Sequence, residues 1–193
     1  MLSHKKSLDI LKKTDALLEG HFVLSSGLHS SKYIQCAKLL SFPKKAEKIC
    51  KSLSLKIKKE FKKIDLILAP AMGGIIIGYE IGKLLNKETI FCERVNKKFT
   101  LRRGFSIKKN LKVLIVEDVI TTGKSSLECF KLIKKYKAKL VGFACLIDRS
   151  GKTKIKSKII SQVKLKIPTY SKKNLPSFLK NKPVTKPGSR FLK

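Results

Sequence analysis

The sequence predicts an α/β protein with a doubly wound parallel sheet. Helical segments at about 74–85 and 125–136 alternate with short apolar runs, and two of the connections are crossovers of the kind that joins parallel strands. Four runs have the composition of strands buried on both faces, namely residues 66–69, 89–92, 113–116 and 140–147. The predicted order of elements over this region is therefore β-α-β-β-α-β.

The first 61 residues have a different texture. Residues 3–19 carry leucines at roughly helical spacing, which predicts an opening helix that ends before Gly20. Short strands are predicted at 22–24 and 33–36, because these stretches flank a polar segment rich in serine and glycine. A second helix is predicted to open at Pro43 and to reach about residue 61.

We expect a single domain over residues 1–193, since this length suits one well-buried core. The core is expected at about 43–150. A small hood over it is expected from about 1–40 together with part of 160–193, where the chain becomes rich in lysine and proline. One more strand is predicted at about 163–167.

The net charge of +32 raises the possibility of a nucleic-acid binder. Only five of the 45 basic residues are arginine, the residue that reads bases and phosphates with a bidentate fork. The lysines are also spread along the whole chain instead of forming one patch. We therefore expect no nucleic-acid partner, although the field concentrates polyanionic substrates.

Cysteine usage and hydropathy bear on the compartment. The five cysteines are widely spaced and lack the CxxC or Cys/His spacing of a zinc site, so we expect buried thiols in a reducing environment. The N-terminal segment lacks the apolar stretch of a secretory signal, and no apolar run approaches the ~20 residues of a membrane span. We expect a cytoplasmic protein without a membrane partner.

The segment after the predicted strand 113–116 carries the strongest chemical signal. Two adjacent acids, Glu117 and Asp118, precede a loop at 121–126 that is rich in threonine, serine and glycine and enters a helix. Ligands of open α/β sheets bind at the carboxyl ends of the strands. Hydroxyls, free N–H groups and a helix N-terminus suit a phosphate monoester, and the carboxylates suit ribose hydroxyls and a hydrated cation. Ordinary helix capping is the structural alternative.

This segment closely resembles the phosphoribosyl-diphosphate motif of type I phosphoribosyltransferases. The sequence lacks the GxxxxGK[ST] motif of P-loop NTPases, and it lacks a GxGxxG motif after a strand, which is typical of dinucleotide-binding proteins. The resemblance implies that Glu117 and Asp118 hold the ribose hydroxyls and that the loop wraps the 5-phosphate of 5-phosphoribosyl 1-diphosphate. The implied binding residues are Glu117, Asp118, Val119, Ile120, Thr121, Thr122, Gly123, Lys124 and Ser125.

Four further stretches resemble orotate phosphoribosyltransferases within that family: residues 20–30, 69–74, 93–105 and 147–149. The resemblance implies that Thr121 contacts orotate and that the loop 25–30 closes over the base. Orotate carries a carboxylate, and Arg149 supplies a cation with fixed donor geometry just after a predicted strand. A surface ion pair with Asp148 is the alternative for Arg149. Transfer to a purine base and an RNA-binding regulator on the same fold remain alternative functions.

The segment 94–105 contains five cations and almost no acid, which predicts a mobile lid. Cations that arrive on closure would stabilise a diphosphate leaving group as its charge develops. Arg94 and Lys98 match the lid positions of the family best and, with Asp118, are the expected catalytic residues. Lys97, Arg102 and Arg103 are further lid cations, and a solvated loop is the alternative.

The resemblance also implies Mg²⁺, bound mainly through the substrate and not by a dedicated protein cage, and a homodimer in which each lid covers the neighbouring site. Two departures from the family pattern affect lysines that contact diphosphate or base in some members. Met72 stands in the turn at 69–74, and Ser25 stands before Ser26 and Gly27. The glycines that follow Met72 still permit close approach of the backbone to a ligand.

Overall fold

A computed structural model of the chain describes residues 1–24, 26–151 and 153–187. Within these residues the larger of two sheets has six strands in the order β5-β4-β3-β6-β7-β8. All neighbouring strands are parallel except the pair β4–β5, which is antiparallel. The strands are β3 (Leu66–Pro70), β4 (Glu88–Val95), β5 (Lys98–Thr100), β6 (Lys112–Ile120), β7 (Lys139–Asp148) and β8 (Ile159–Lys164).

Helices cover both faces of this sheet, which confirms the doubly wound α/β prediction. On one face the helices α2 (Cys36–Leu40), α3 (Pro43–Glu60) and α4 (Gly73–Leu85) share a buried cluster with Leu114 and Val116 of β6. On the other face α5 (Lys124–Lys135) packs on the alternate residues of the same strand. This alternation is the period of two that a β-strand imposes on its side chains.

A second, smaller sheet is built from parts of the two terminal segments in which a hood was predicted. Within the described residues it has the order β10-β1-β2-β9 and lies outside the hydrogen-bonded ladder of the larger sheet. Chain segments from both ends contribute to it, because β1 pairs with β10 and β2 pairs with β9. Its strands are β1 (Leu17–Val23), β2 (His29–Ile34), β9 (Thr169–Tyr170) and β10 (Val184–Thr185).

The prediction of a helix over 3–19 is wrong beyond residue 12. Helix α1 spans His4–Lys12, begins with a Ser3 cap and gives way to a turn in which Asp15 has a left-handed φ of 53°. Leu17 and Leu18 belong to β1 and pair with Ile34 and Tyr33 of β2. Pairing with a distant strand outweighs the helical spacing of these leucines.

Two buried histidines form an unexpected pair in the smaller sheet. His21 Nε2 and His29 Nδ1 are 2.7 Å apart, so the two rings share one hydrogen bond. All five cysteines are buried and free, as expected. Among the described residues, no helix combines the length and apolar composition that crossing a membrane requires.

Candidate functional site

Strand β6 extends further than the sequence indicates. We predicted its end at Val116, with the two acids beyond it, whereas the ladder to β7 continues to Ile120 paired with Asp148. Glu117 and Asp118 are therefore strand residues whose side chains leave opposite faces of the sheet. Glu117 points toward α5 and Asp118 toward the start of α4.

Glu117 is buried beneath the first turn of α5. It accepts a short hydrogen bond from the hydroxyl of Ser126. Burial raises the pKa of Glu117 to about 7, and the nearby charge of Asp118 contributes in the same direction. The Ser126 hydrogen bond and the Arg94 guanidinium lower that pKa. Glu117 therefore titrates near neutral pH, where its protonation would change the charge of the site.

The carboxylate of Asp118 lies against the turn between β3 and α4. Burial raises the pKa of Asp118, while a hydrogen bond from the Val119 N–H at 2.8 Å to Oδ1 opposes this shift. A Cβ atom added at Gly73 would lie 2.7–2.9 Å from the three carboxylate atoms of Asp118. The turn thus needs glycine at position 73 to leave room for the acid.

The hydroxyl-rich loop leads from β6 into α5 as predicted. Thr121, Thr122 and Lys124 are exposed and Ser125 is half-buried. Gly123 has a left-handed φ of 76° and stands at the N-cap of α5. The first N–H groups of a helix lack intrahelical acceptors, so this loop presents donors at the positive end of the helix dipole. An anion, and a phosphate in particular, fits this arrangement.

A segment that the sequence did not single out supports this loop. Thr153 donates a hydrogen bond from its hydroxyl to the Thr122 carbonyl at 3.2 Å. A Cβ atom at Gly123 would meet Ile155 and Thr153 at 2.7 Å. The close approach of this segment means that residue 123 needs glycine both for its φ and for space.

Arg149 lies beside the loop at the end of β7. Its backbone N–H donates to the Ile120 carbonyl at 2.8 Å, next to Thr121. Its side chain is half-buried, and the buried Nε has no hydrogen-bond partner among the described residues. Burial lowers the pKa of this guanidinium, which still stays charged at neutral pH. An open cavity of about 370 Å³ adjoins it, lined by Asp148, Arg149, Ser150, Gly151 and residues 164–168.

The alternative role considered for Arg149, an ion pair with Asp148, is not found among the described residues. Asp148 Oδ1 instead accepts hydrogen bonds from the N–H of Ser150, at 2.7 Å, and from its hydroxyl. Lys164 lies 3.9 Å from the other carboxylate oxygen. Within the described chain no carboxylate pairs with Arg149, so its guanidinium remains able to bind an anionic ligand.

The predicted lid is more ordered than a long irregular connection. Strand β4 runs on to Val95, and a tight turn at Asn96 and Lys97, both with positive φ, leads into β5. Phe99 of β5 is buried and faces Arg94 across the hairpin, which explains why this stretch forms a strand. A second turn follows at Arg103 and Gly104, also with positive φ.

The lid cations differ in how they are held. Arg94 forms an ion pair of 2.6 Å with Glu128 of α5 and is close enough to Glu117 to lower its pKa. Arg103 donates two hydrogen bonds of 3.1 Å to Glu93. The side chains of Lys97, Lys98 and Arg102 are exposed. The two lysines line an open groove of about 420 Å³ between the hairpin and α5.

Sequence reasoning missed Glu128, and it did not foresee the contacts of Ser126 with Glu117 and of Gly73 with Asp118. Met72 is exposed beside Gly73, and the Ala71–Met72 peptide bond is cis. Ser25, the other departure from the family pattern, lies outside the described residues, so the loop at 25–30 is described only from Ser26 onward. Among the described residues no cluster of three or more histidine, cysteine, aspartate or glutamate side chains is arranged to hold a metal ion.

Comparisons with known proteins agree with this geometry. A family model named phosphoribosyl transferase domain matches residues 42–174. The chain is 46% identical to orotate phosphoribosyltransferase of Parvibaculum lavamentivorans over 193 residues, which are 99% of this chain and 100% of that protein. The chain belongs to the orotate phosphoribosyltransferase family.

Solved structures of other phosphoribosyltransferases share the fold of this family member. Orotate phosphoribosyltransferase from Aeropyrum pernix has a TM-score of 0.68 and 24% identity, with 82% of this chain and 93% of that chain covered. Adenine phosphoribosyltransferase from Thermoanaerobacter pseudethanolicus has a TM-score of 0.60 and 19% identity, with coverages of 69% and 88%. The fold therefore spans orotate and adenine enzymes, and the choice of base must come from local residues.

Proposed function

We propose that the protein transfers the 5-phosphoribosyl group of 5-phosphoribosyl 1-diphosphate to N1 of orotate, which gives orotidine 5'-monophosphate and diphosphate on the route to UMP. The observation that carries this proposal is the half-buried Arg149, whose buried Nε has no partner among the described residues, beside the phosphate-binding loop. A cation held next to a phosphate site suits a base that carries a carboxylate.

The donor occupies the end of β6 in this proposal. Its 5-phosphate accepts hydrogen bonds from the loop that runs from Thr121 to Ser125, at the N-terminus of α5. Asp118 and Glu117 interact with the ribose hydroxyls, with Asp118 reached from the side of Gly73. Ionised Glu117 accepts a hydrogen bond from a ribose hydroxyl more strongly than the protonated acid does, so donor binding weakens as the pH falls below its pKa of about 7.

The acceptor lies next to the donor, toward β7. Arg149 pairs with the orotate carboxylate, and Thr121 contacts the base from the loop. The hydrogen bond between the Arg149 N–H and the Ile120 carbonyl fixes the spacing of these two groups. Purines lack this carboxylate, so the pairing favours orotate over adenine or hypoxanthine.

Bond formation needs no protein nucleophile. The ring nitrogen N1 of orotate attacks C1 of the ribose, and the C1–O bond breaks. Diphosphate leaves with the electron pair of that bond and takes up the proton that N1 releases. Arg94 and Lys98 stabilise the charge that accumulates on diphosphate, and the closed hairpin excludes water from the cationic ribose. Asp118 orients the ribose for the displacement.

Mg²⁺ is the cofactor of this proposal. The nearby protein groups fit it, because Asp118 and Glu117 offer carboxylate oxygens, the ligands that Mg²⁺ prefers, but too few of them for a cage. Asp118 uses Oδ1 for the Val119 N–H and keeps Oδ2 beside Gly73. Held near these carboxylates, Mg²⁺ would supply positive charge that offsets the charge of the diphosphate leaving group.

We further propose a cytoplasmic homodimer with a lid contributed across the interface. Met72, Ile76 and Tyr79 are 82%, 54% and 67% exposed at spacings of four and three residues on and just before α4. Large apolar side chains that share one exposed helix face mark an interaction surface. This surface adjoins the Gly73 turn, so a second copy would bring its own residues close to the site.

The decisive assay follows orotate absorbance after addition of the donor and Mg²⁺. We expect orotate to be consumed, whereas adenine or hypoxanthine supplied in its place should remain unchanged. Chelation of Mg²⁺ should stop the reaction. Well-folded protein that leaves orotate unchanged would sink the proposal. Retention on RNA well above physiological salt would instead support the RNA-binding alternative, because nonspecific charge contacts fade steeply with salt.

Subunit mixing tests the shared lid. Arg94→Ala and Asp118→Asn should each retain only a small but measurable fraction of the wild-type activity alone. If Arg94 acts in the neighbouring site, each mixed dimer regains one intact site. Because random exchange makes about half of the dimers mixed, the mixture should reach up to about a quarter of the wild-type rate. A mixture of subunits that do exchange but gain no activity would assign Arg94 to the site of its own chain.

A further inference from the structure

Arg94 is unusually well fixed for a cation on a surface hairpin. Its Nη2 atom lies 2.6 Å from Oε2 of Glu128, and its Nη1 atom donates a hydrogen bond of 2.9 Å to the Lys97 carbonyl. The guanidinium also stacks 4.1 Å from the centroid of the Phe99 ring. Glu128 and the Lys97 carbonyl thus contact the two terminal nitrogens of the guanidinium, and Phe99 contacts its face. Of the Arg94 side chain, 39% remains exposed.

Glu128 makes the one contact of this set that comes from outside the hairpin. It lies on α5, the helix whose N-terminus carries the phosphate-binding loop, and its side chain is 25% exposed. The groove around it also contains Lys97, Lys98, Lys131 and Lys135. Among the described residues its ion pair is nevertheless with Arg94 alone. The pair is a close charge contact and not an aligned hydrogen bond, because Oε2 of Glu128 has no hydrogen-bond partner among the described residues.

We infer that Glu128 is a positioning residue that fixes the orientation of Arg94 for donor binding. The inference rests on the proposed function, in which Arg94 contacts the diphosphate group. An arginine side chain loses conformational freedom when it binds a ligand. A carboxylate that orders it in advance reduces this cost and directs its free N–H groups away from the helix. Glu128 itself touches no substrate.

A double-mutant cycle on kcat/KM for the donor tests this role. Glu128→Gln keeps the size of the side chain and removes its charge, and we expect roughly a tenfold loss with an unchanged KM for orotate. In an Arg94→Ala background the same change should have no further effect, because its target is gone. The cycle concerns one pair within one chain, so it does not depend on which subunit's donor Arg94 contacts.

A purely structural role for Glu128 predicts a different pattern. Losses that multiply in the double variant, or an unchanged or increased kcat/KM in Glu128→Gln alone, would overturn the inference. Glu60→Gln is the matched control, since Glu60 also pairs with one cation, Lys158 at 2.5 Å, but on α3. It should retain wild-type kcat/KM.

Two further measurements keep the test decisive. If Glu128→Gln does not fold by circular dichroism, the cycle is repeated with Glu128→Asp, which keeps the charge and shortens its reach. A smaller loss that again vanishes in the Arg94→Ala background supports the positioning role, and a loss that persists there overturns it. Wild-type protein without turnover of orotate would defeat the proposed function, whereas active wild-type protein with an additive cycle would defeat only this inference.

Discussion

Replacing Glu117 by glutamine should stabilise the protein at alkaline pH while it impairs turnover. Burial raises the pKa of Glu117 from its ordinary value of 4.5 to about 7. The folded protein therefore binds this proton more tightly than the unfolded chain does. The contribution of Glu117 to the stability of the fold is fully present below pH 4.5. It is lost as the pH rises through 7, because the carboxyl group then ionises while it is buried.

The size of the effect follows from that pKa shift. One pH unit corresponds to 1.36 kcal/mol, so the shift costs the ionised protein about 3 kcal/mol at pH 8.5. Glu117 is only 7% exposed, and solvent screening therefore reduces this value little. Glutamine can still accept the hydrogen bond of Ser126 through its amide oxygen. We expect the free energy of unfolding of Glu117→Gln to exceed that of the wild type by up to about 3 kcal/mol at pH 8.5.

Urea unfolding of both proteins at pH 5 and pH 8.5 measures this difference. Other groups titrate in both proteins, so they cancel in the comparison, and the m-value should stay unchanged. The advantage of the variant should be present at pH 8.5 and shrink toward zero as the pH approaches 4.5. Glu60→Gln, in which the replaced side chain is 33% exposed and forms an ion pair at the surface, should show at most a small change. A Glu117→Gln variant that is no more stable at pH 8.5 than the wild type would refute this account of the site.

Three further substitutions test separate parts of the site. Gly73→Ala places a Cβ atom 2.7–2.9 Å from the carboxylate of Asp118 and should lower kcat/KM by at least about tenfold. The control Gly151→Ala adds a Cβ atom with nothing within 4 Å and should have no effect. Equal activities of the two variants would contradict this role of Gly73. Ser126→Ala removes a hydrogen bond that lowers the pKa of Glu117, so the acidic limb of the pH profile of kcat/KM should move to higher pH, and an unmoved limb would argue against the contact. Arg149→Gln should raise KM for orotate by roughly tenfold or more and leave KM for the donor unchanged; a loss confined to the donor would reassign this residue.

The core of the fold could be predicted because its strands are buried on both faces. Such strands are continuous apolar runs whose type does not depend on knowing their neighbours, as at 113–116. The extension of β6 to Ile120 could not be predicted, since Glu117 and Asp118 are poor strand formers without their partners on β7. The helix prediction for Leu17 and Leu18 was wrong for the same reason, because the strand that contains them is defined by its pairing with β2.

The candidate site divides in the same way. The loop proposed to bind phosphate is contiguous in sequence, and it lies at the start of α5. The contacts that tune it join residues far apart in the chain, such as Arg94 with Glu128 and Gly73 with Asp118. They depend on the strand order β4-β3-β6, which brings the ends of three strands together. No local pattern contains that information.

The strand order also explains how one fold serves several bases. The residues proposed to bind the sugar phosphate lie on β6 and the loop after it, while the cation proposed for orotate lies at the end of β7. The two are joined by a backbone hydrogen bond from Arg149 to Ile120 at 2.8 Å, which depends on no side chain. Evolution can therefore replace residue 149 without disturbing the donor site. Base specificity then changes through the loop at one strand end, as expected when function resides in residues placed on a shared fold.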